Sequence, residues 1–191
     1  MPIVSAVSSA SPEQAIARVR AWIERFVVDL NLCPFARPVV SSDALRIVAC
    51  ESASPEAIAT LLITELDLLS QSSESDIATS VLVFPEGLEA FDDYLGLLDD
   101  AQTVLEEMGL AGEIQIASFH PDYRFEGEPI DAVSHFTNRA PYPLIHLLRE
   151  TMVSTALENY PNPERIPERN IQTLERLGLA SIECLLHSLD R

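Results

Sequence analysis

The chain contains no lysine, only three cysteines and no long apolar run among its 191 residues. Without lysine, neither Schiff-base catalysis nor the lysine of a phosphate-binding P-loop is available. Every apolar stretch falls short of the roughly 20 residues that a helix needs to span a bilayer. Cys33, Cys50 and Cys184 are widely spaced and form no CxxC motif. Because their number is odd and the N-terminus does not resemble a secretory signal, we expect reduced thiols in a cytoplasmic protein.

The charge balance is strongly acidic, with 30 acidic residues against 12 basic ones, all arginine, and a net charge of −18. Such a surface repels phosphate backbones and anionic lipids, so we expect neither nucleic acid nor a membrane as a partner. An anionic small molecule remains a candidate partner, and arginine would have to bind it through its planar guanidinium. The sequence indicates no particular cofactor and no particular oligomeric state.

The order of the apolar patterns predicts an α/β fold. Residues 45–50, 77–84 and 113–119 are short, apolar and rich in β-branched side chains, which is typical of strands. The segments between them carry apolar residues at helical spacing. This alternation predicts a small sheet of three or four strands, parallel or mixed, packed with helices. The turn after the first predicted strand has no glycine, which argues against a dinucleotide-binding site.

Capping signals predict where the helices begin. The first helix is expected to begin with a capping box at Ser11 and to end near Leu32, just before a Cys-Pro pair. Further helices are predicted to begin at Pro143, Asn162 and Ser181. The C-terminal third is therefore expected to be helical. We expect one globular domain over residues 11–191, preceded by a flexible tail over residues 1–10.

One segment, residues 119–150, differs from the rest of the chain and is called the polar segment below. It contains three of the four histidines and three arginines, namely His120, His135, His146, Arg124, Arg139 and Arg149. Imidazoles act as acids or bases near neutral pH, and guanidiniums hold anionic groups. Because these residues follow a predicted strand and run through a loop, they predict a binding or catalytic site. The histidine spacings match no compact metal motif, so no metal is predicted.

The helix predicted from Pro143 shapes this expected site. Its first backbone N–H groups would attract an anion, and Arg139 just before it would strengthen that attraction. His146 and Arg149, three residues apart, would share one face of the helix. The predicted catalytic residues are His120 and His146, and the predicted substrate-binding residues are Arg139, Arg149, Asn138 and Tyr123. Each has a structural alternative, such as a capped strand end, a solvated side chain or an internal ion pair.

Cys33 is a further candidate catalytic residue, at the break between the first helix and Pro34. A helix C-terminus disfavours a thiolate, so a reactive cysteine here would need a neighbouring arginine or histidine. The alternative is a small buried side chain at a turn. Cys33 is expected to take part in catalysis only if the fold brings it beside His120 or Arg139.

Four segments resemble the signature sequences of an uncharacterised bacterial family, the domain of unknown function 1415. They are LNLCPFA from Leu30, SFHPDYRFEG from Ser118, TNRAPYPLIHLLRE from Thr137 and NIQTLERLG from Asn170. The resemblance implies a single small cytoplasmic domain from a bacterium and falls on the candidate residues named above, but it implies no activity. At Arg124 and around His135, family-like sequences are expected to carry other side chains.

Three functions fit these observations. The first is a small-molecule enzyme, a hydrolase or transferase, that uses the histidines on an anionic substrate held by the arginines. The second is a non-catalytic module that binds a metabolite anion or a protein partner. In the third, the polar segment is structural and is held by internal hydrogen bonds and ion pairs. The first two require His120 and the arginines to meet around one pocket.

Overall fold

The structure is a computed structural model that describes residues 10–190, so the tail predicted over residues 1–10 lies outside it except for Ala10. Four strands form one sheet: β1 Leu45–Ala49, β2 Thr79–Val83, β3 Ile114–Phe119 and β4 Leu144–Arg149. The described residues also form seven α-helices: α1 Pro12–Trp22, α2 Ala36–Ser41, α3 Pro55–Gln71, α4 Phe91–Glu107, α5 Glu150–Glu158, α6 Ile166–Leu177 and α7 Leu179–His187. A π-helix, Ile23–Val28, extends α1, and 3₁₀ turns occupy Val133–Thr137, Pro163–Arg165 and Ser188–Asp190. This is the predicted α/β fold, and none of its described helices is long and apolar enough to cross a membrane.

The sheet is mixed, with strand order β1–β2–β4–β3. β1 and β2 run parallel, whereas β4 runs antiparallel to both of its neighbours, β2 and β3. The carboxyl ends of β1, β2 and β3 therefore meet the amino end of β4 at one edge of the sheet. His120 lies at this edge, directly after β3, while Arg149 lies at the opposite edge, at the end of β4.

Local sequence signals set the helix starts. Ser11 Oγ accepts a hydrogen bond from the Gln14 N–H at 3.3 Å, and Gln14 Oε1 accepts one from the Ser11 N–H at 2.9 Å. This reciprocal pair is the predicted capping box. Ser54 caps α3 through the N–H of Ala57 at 3.2 Å. Because these contacts join residues only three positions apart, the sequence pattern alone can predict them.

The helix predicted from Pro143 is wrong, because residues 144–149 form β4. Three leucines in this stretch fall at helical spacing, and for that reason the sequence favours a helix. In the structure β4 is a central strand paired at both edges, and helices cover both faces of the sheet, so no polar alternation is needed. Side chains alternate along a strand. Leu144, His146 and Leu148 lie on one face of the sheet, and Ile145, Leu147 and Arg149 lie on the other.

The two faces of the sheet have different surroundings. One face packs against α3 and α4, and its core includes the fully buried Leu66 and Leu82. The other face packs against α1 and the π-helix, with Phe26 and Leu144 fully buried there. We call the first the filled face. We call the second the open face, because a cavity separates part of it from α2 and α5.

Candidate functional site

The structure does not bring all of the predicted site residues together in one pocket. His120 and Asn138 are joined at the carboxyl edge of the sheet, where the His120 N–H donates to the Asn138 carbonyl at 3.1 Å. Arg149 is at the other edge, and the six residues of β4 separate the two edges by roughly 17 Å. His146 lies on the open face and Arg149 on the filled face. The shared pocket does not form, because the helix that would have joined these two side chains is a strand.

His120 is fully buried, and both of its ring nitrogens are hydrogen-bonded to the backbone. Nδ1 accepts from the N–H of Asp122 at 3.0 Å, so the ring proton is on Nε2, which donates to the carbonyl of Leu88 at 2.9 Å. Burial lowers the pKa of His120, which keeps the ring neutral. The imidazole therefore ties the polar segment to the loop before α4, and its catalytic role stays a prediction.

His135 follows the same pattern further along the polar segment. Nδ1 accepts from the N–H of Phe125 at 3.1 Å, and Nε2 donates to the carbonyl of Pro129 at 2.8 Å. Two of the three histidines thus have saturated rings that hold loop backbone in place. Across residues 10–190, no three His, Cys, Asp or Glu side chains converge as potential metal ligands.

Asn138 and Tyr123 lie beside the last residues of β3. The Asn138 side chain donates to the carbonyl of Ser118 at 3.0 Å and accepts from the Thr137 hydroxyl at 3.0 Å. The Tyr123 hydroxyl accepts a longer hydrogen bond, 3.4 Å, from the Ser118 hydroxyl. These contacts fasten the polar segment along the strand, which is the structural alternative raised from the sequence. Substrate binding by the two residues stays a prediction.

The guanidinium of Arg149 is bound by backbone carbonyls. Nη2 donates to the carbonyls of Leu69 at 2.8 Å, Ser72 at 2.7 Å and Ile77 at 3.0 Å, and Nε donates to Ile77 at 3.2 Å. Leu69 and Ser72 lie at the C-terminal end of α3, where carbonyls lack helical partners and the helix dipole attracts a cation. The side chain holds α3 and the segment before β2 together, and substrate binding by it stays a prediction.

Arg139 is less fully engaged. Its Nε donates to the carbonyl of Tyr123 at 3.3 Å, and its guanidinium lies over the ring of Phe136, 4.6 Å from the centroid. The two terminal nitrogens have no hydrogen-bonding partner among residues 10–190. Burial lowers the pKa of Arg139, while nearby Asp122 opposes this shift and Arg124 adds to it. Arg139 therefore has donors available to an anion.

A cavity of about 540 Å³ lies over the open face. Strands β2, β3 and β4 form its floor, and its walls are aliphatic and aromatic side chains from the end of α1, the π-helix, the turn before α2, α2 and α5, with Trp22, Phe35 and Met152 among them. No residue of α2 or α5 is buried. These two helices therefore cover the cavity without packing closely onto the sheet.

His146 lies on the cavity floor and makes one hydrogen bond. The Thr79 hydroxyl donates to the carbonyl of Leu147, so its oxygen accepts from Nε2 of His146 at 2.7 Å. Nδ1 then carries a lone pair that has no partner among the described residues. Burial lowers the pKa of His146 to about 4, so the ring is neutral at neutral pH and presents an acceptor.

Cys33 and Gln115 are further polar groups that line the cavity. Burial raises the pKa of the Cys33 thiol, although the N–H groups of Phe35 and Ala36 oppose this shift, and the thiol is therefore uncharged. Gln115 pairs with Leu148, two positions along β4 from His146, a diagonal arrangement that separates two residues by about 7–8 Å. The Gln115 amide has no partner among residues 10–190.

The chain leading into the cavity wall has unusual backbone geometry. Helix α1 becomes a π-helix at Ile23, and Ile23 and Val27 line the cavity. Such helices are rare and frequently occur at functional sites. Asn31 then adopts a left-handed φ of 53°, and the sharp turn brings Cys33 and Phe35 to the cavity wall.

Sequence reasoning missed Thr79, Gln115 and the cavity itself. Gln115, Ala117 and Phe119 are alternate residues of β3 and therefore lie on the same face of the strand. This alternation could have identified Gln115 as a polar group on an otherwise apolar face. Thr79 begins a buried strand and gives no comparable signal. The cavity depends on how far α2 and α5 stand from the sheet, which no local pattern records.

Taken together, the fold and site define a mixed α/β protein with an apolar cavity over one face of its sheet and a neutral histidine on the cavity floor. A family model described as "Protein of unknown function (DUF1415)" matches residues 14–183. The chain belongs to this family, as the resemblance of its sequence motifs indicated. Comparisons with curated proteins and with solved structures returned no match. The family description gives no activity.

Proposed function

We propose that the protein binds a small, largely apolar molecule in the cavity over the open face. The observation that carries this proposal is the volume of the cavity, about 540 Å³, which falls within the range of about 300–1,000 Å³ for small-molecule sites. Protein interiors are normally packed as densely as organic crystals and contain few voids larger than a water molecule. Space on this scale on one face of a small sheet supports a ligand site better than a packing defect.

The chemistry of the lining agrees with this proposal. Small-molecule sites are mostly apolar and contain a few polar groups that fix the orientation of the ligand. Here Thr79, Gln115, His146 and Cys33 are set among aliphatic and aromatic walls. A ligand that buries about 300 Å² of apolar surface gains roughly 7 kcal/mol before it loses translational freedom. We therefore expect binding in the micromolar range or weaker.

The test uses diphenylhexatriene, an uncharged hydrocarbon dye that fluoresces in apolar surroundings. We expect saturable binding of about one dye per chain. Ala117→Leu, which fills the cavity floor between Gln115 and Phe119, should weaken this binding at least severalfold. Ala59→Leu is the matched control, because it adds the same group on the exposed side of α3. Equal binding by all three proteins would contradict the proposal.

Catalysis within the cavity is a narrower form of the same proposal. His146 would accept a proton at Nδ1, and Cys33 would supply a nucleophile after deprotonation. Both groups are neutral, which makes His146 a weak base and Cys33 a slow nucleophile. Binding therefore stands as the main proposal, and an enzymatic step by these two residues is its extension.

A second candidate is an anion-binding site at Arg139, supported by its two unpartnered terminal nitrogens and by the nearby Arg124. The net charge of −18 works against it. Titration with inorganic phosphate, followed by amide chemical shifts, tests this site. We expect shifts around residues 122–139 that disappear in Arg139→Gln and persist in Arg20→Gln, a matched change on the exposed surface of α1. Shifts that are unchanged in Arg139→Gln would eliminate the candidate.

A further inference from the structure

We infer that the cavity takes a neutral amphiphile, an aliphatic chain with a hydroxyl group, and that this hydroxyl donates a hydrogen bond to Nδ1 of His146. The inference rests on the proposed function, because it names the class of ligand for the same cavity. Three properties of the lining carry it: the orientation of its one charged side chain, Arg149, toward the filled face, the acceptor on the floor that has no partner among the described residues, and the apolar walls around it.

The lining offers no partner for an ionic head group. Among the residues of 10–190 that surround the cavity there is no aspartate or glutamate, so a buried ammonium group would be unpaired. Arg149 borders the cavity, but its guanidinium is bound to three backbone carbonyls beside α3. These bonds hold the guanidinium on the filled face, so a carboxylate or phosphate beside His146 would be buried away from this cation, which is costly.

The floor selects for a hydrogen-bond donor. The Nε2 proton of His146 is bound by Thr79, whose own proton goes to the carbonyl of Leu147, and this chain of bonds fixes the lone pair on Nδ1 as an acceptor. A ligand that fills the cavity without donating to Nδ1 would leave a buried acceptor unsatisfied. A hydroxyl satisfies it, and its oxygen can in turn accept from the unpartnered amide of Gln115.

The rest of the lining suits an alkyl chain. Trp22 at the end of α1, Phe35 before α2 and Met152 on α5 surround His146 and Gln115, together with β-branched side chains such as Val27 and Val81. The indole N–H of Trp22 is a polar exception in this wall, because it has no partner among the described residues. Methionine and the loosely packed helices α2 and α5 adapt to chains of different shape. Phe35 contacts Tyr160 edge to face at 5.5 Å, which links the residue before α2 to the loop after α5 and completes the cover.

The experiment compares two isomers, an alcohol that donates a hydrogen bond and an ether that cannot, with a charged analogue. 1-Octanol donates a hydrogen bond, heptyl methyl ether has the same atoms but only accepts, and octanoate is charged at about pH 7.5. Each displaces diphenylhexatriene from the wild-type protein in a competition assay. We expect 1-octanol to bind about fivefold or more tightly than the ether, and octanoate to compete only weakly.

Two variants assign this preference to Nδ1. His146→Phe keeps a ring but has no acceptor, so we expect it to retain the dye and to lose the preference for the alcohol. His146→Asn places an amide oxygen near the position of Nδ1, and we expect it to restore part of the preference. Unfolding midpoints of both variants show whether they fold, and dye binding shows whether the cavity persists.

The outcomes separate the two proposals. If dye binding is absent or unaffected by Ala117→Leu, the proposed function fails and the inference fails with it. If the dye binds in the cavity but the ether competes as well as the alcohol, or octanoate competes better than either, the inference alone is overturned. An alcohol preference that His146→Phe leaves unchanged also overturns it.

Discussion

The two faces of the sheet are built from alternate residues of the same strands, yet they are packed differently. On the filled face, α3 and α4 pack onto leucines with almost no exposed area, and the one cation of β4, Arg149, is bound to backbone carbonyls. On the open face, α2 and α5 contribute no buried residue, and a cavity remains above His146.

This difference separates residues that hold the fold from residues that are available to a ligand. On the filled face, Arg46 and Glu65 pair inside the protein through two hydrogen bonds at 2.7 and 2.8 Å, and Glu65 is 1% exposed. The buried Ser80 hydroxyl is an exception on this face, because it has no partner among the described residues. On the open face, Nδ1 of His146 and the amide of Gln115 have no partner among the described residues.

Arg149→Met should cause the largest loss of stability. The change leaves the carbonyls of Leu69, Ser72 and Ile77 without their donor, and we expect the free energy of unfolding to fall by about 3 kcal/mol. Urea denaturation measures this quantity. Arg176→Met is the matched control, because Arg176 is exposed on α6, and it should change stability by less than about 0.5 kcal/mol. Similar losses in the two variants would mean that Arg149 does not hold the filled face.

His146 should make stability depend on pH. Its pKa falls from 6.5 in the unfolded chain to about 4 in the folded protein because of burial. Above pH 6.5 both states are neutral, so the histidine has no effect. Between pH 6.5 and 4 the unfolded chain binds a proton that the folded protein does not, so stability falls with falling pH by roughly 3 kcal/mol in total.

The measurement is the free energy of unfolding of the wild type and of His146→Gln between pH 4 and 7, the interval that contains both pKa values. Glutamine keeps a donor for Thr79 but does not titrate, so the variant should lose less stability on acidification. The buried His120, whose pKa is also lowered, is present in both proteins and cancels. His187→Gln, on the exposed end of α7, should leave the wild-type slope unchanged; the same slope in His146→Gln would show that His146 is not buried as a neutral ring.

Matched small-to-large substitutions compare the two faces directly. Ala101 on α4 is fully buried in the core of the filled face, and Ala101→Leu should cost about 2 kcal/mol through overpacking. Ala117 lines the cavity, and Ala117→Leu should lie within about 1 kcal/mol of the wild type because the added group enters open space. Thermal unfolding of both variants is the measurement. Equal destabilisation would mean that the cavity does not accept an added side chain.

The contrast between local and long-range structure explains how much of the fold the sequence could predict. The capping box at Ser11 and the first three strands depend on neighbours within a few residues, and all were predicted. β4 was predicted as a helix because its leucines recur at helical spacing, whereas its pairing with β2 and β3 involves residues far away in the chain. Local preference is a weak signal when a strand is buried on both faces.

The site shows the same limit. The sequence identified His120, His135 and Arg149 as chemically capable, but it could not show that backbone carbonyls and N–H groups saturate them. It named His146 and Cys33 separately, and only the folding of the π-helix and the turn at Asn31 brings both to one cavity. Residue type is read from the sequence, whereas hydrogen-bonding partners and enclosed volume are properties of packing.

The smallest expected effect is a difference in the rate at which two thiols react, one inside the cavity and one at the protein surface. Cys33 lines the cavity and burial raises the pKa of its thiol, whereas Cys184 is exposed on α7. Because the thiolate is the reactive form, iodoacetamide should modify Cys33 about tenfold or more slowly than Cys184. A bound ligand should slow Cys33 further and leave Cys184 unchanged, as followed by mass spectrometry of the intact protein and its peptides.

Saturating diphenylhexatriene is the ligand for this experiment, and Ala117→Leu supplies its control. In that variant the dye binds poorly, so it should protect Cys33 much less than in the wild type. If the dye protects Cys33 in the wild type but not in Ala117→Leu, the thiol lies in the cavity that the dye occupies. Cys184 is the internal control, because a loss of iodoacetamide to the dye would slow its modification as well. A contrary result would be that the dye slows the modification of both cysteines equally, or that it protects Cys33 as strongly in Ala117→Leu as in the wild type. Either result would mean that the dye binds outside the cavity, and that the open face is no better supported as a binding site than the filled face.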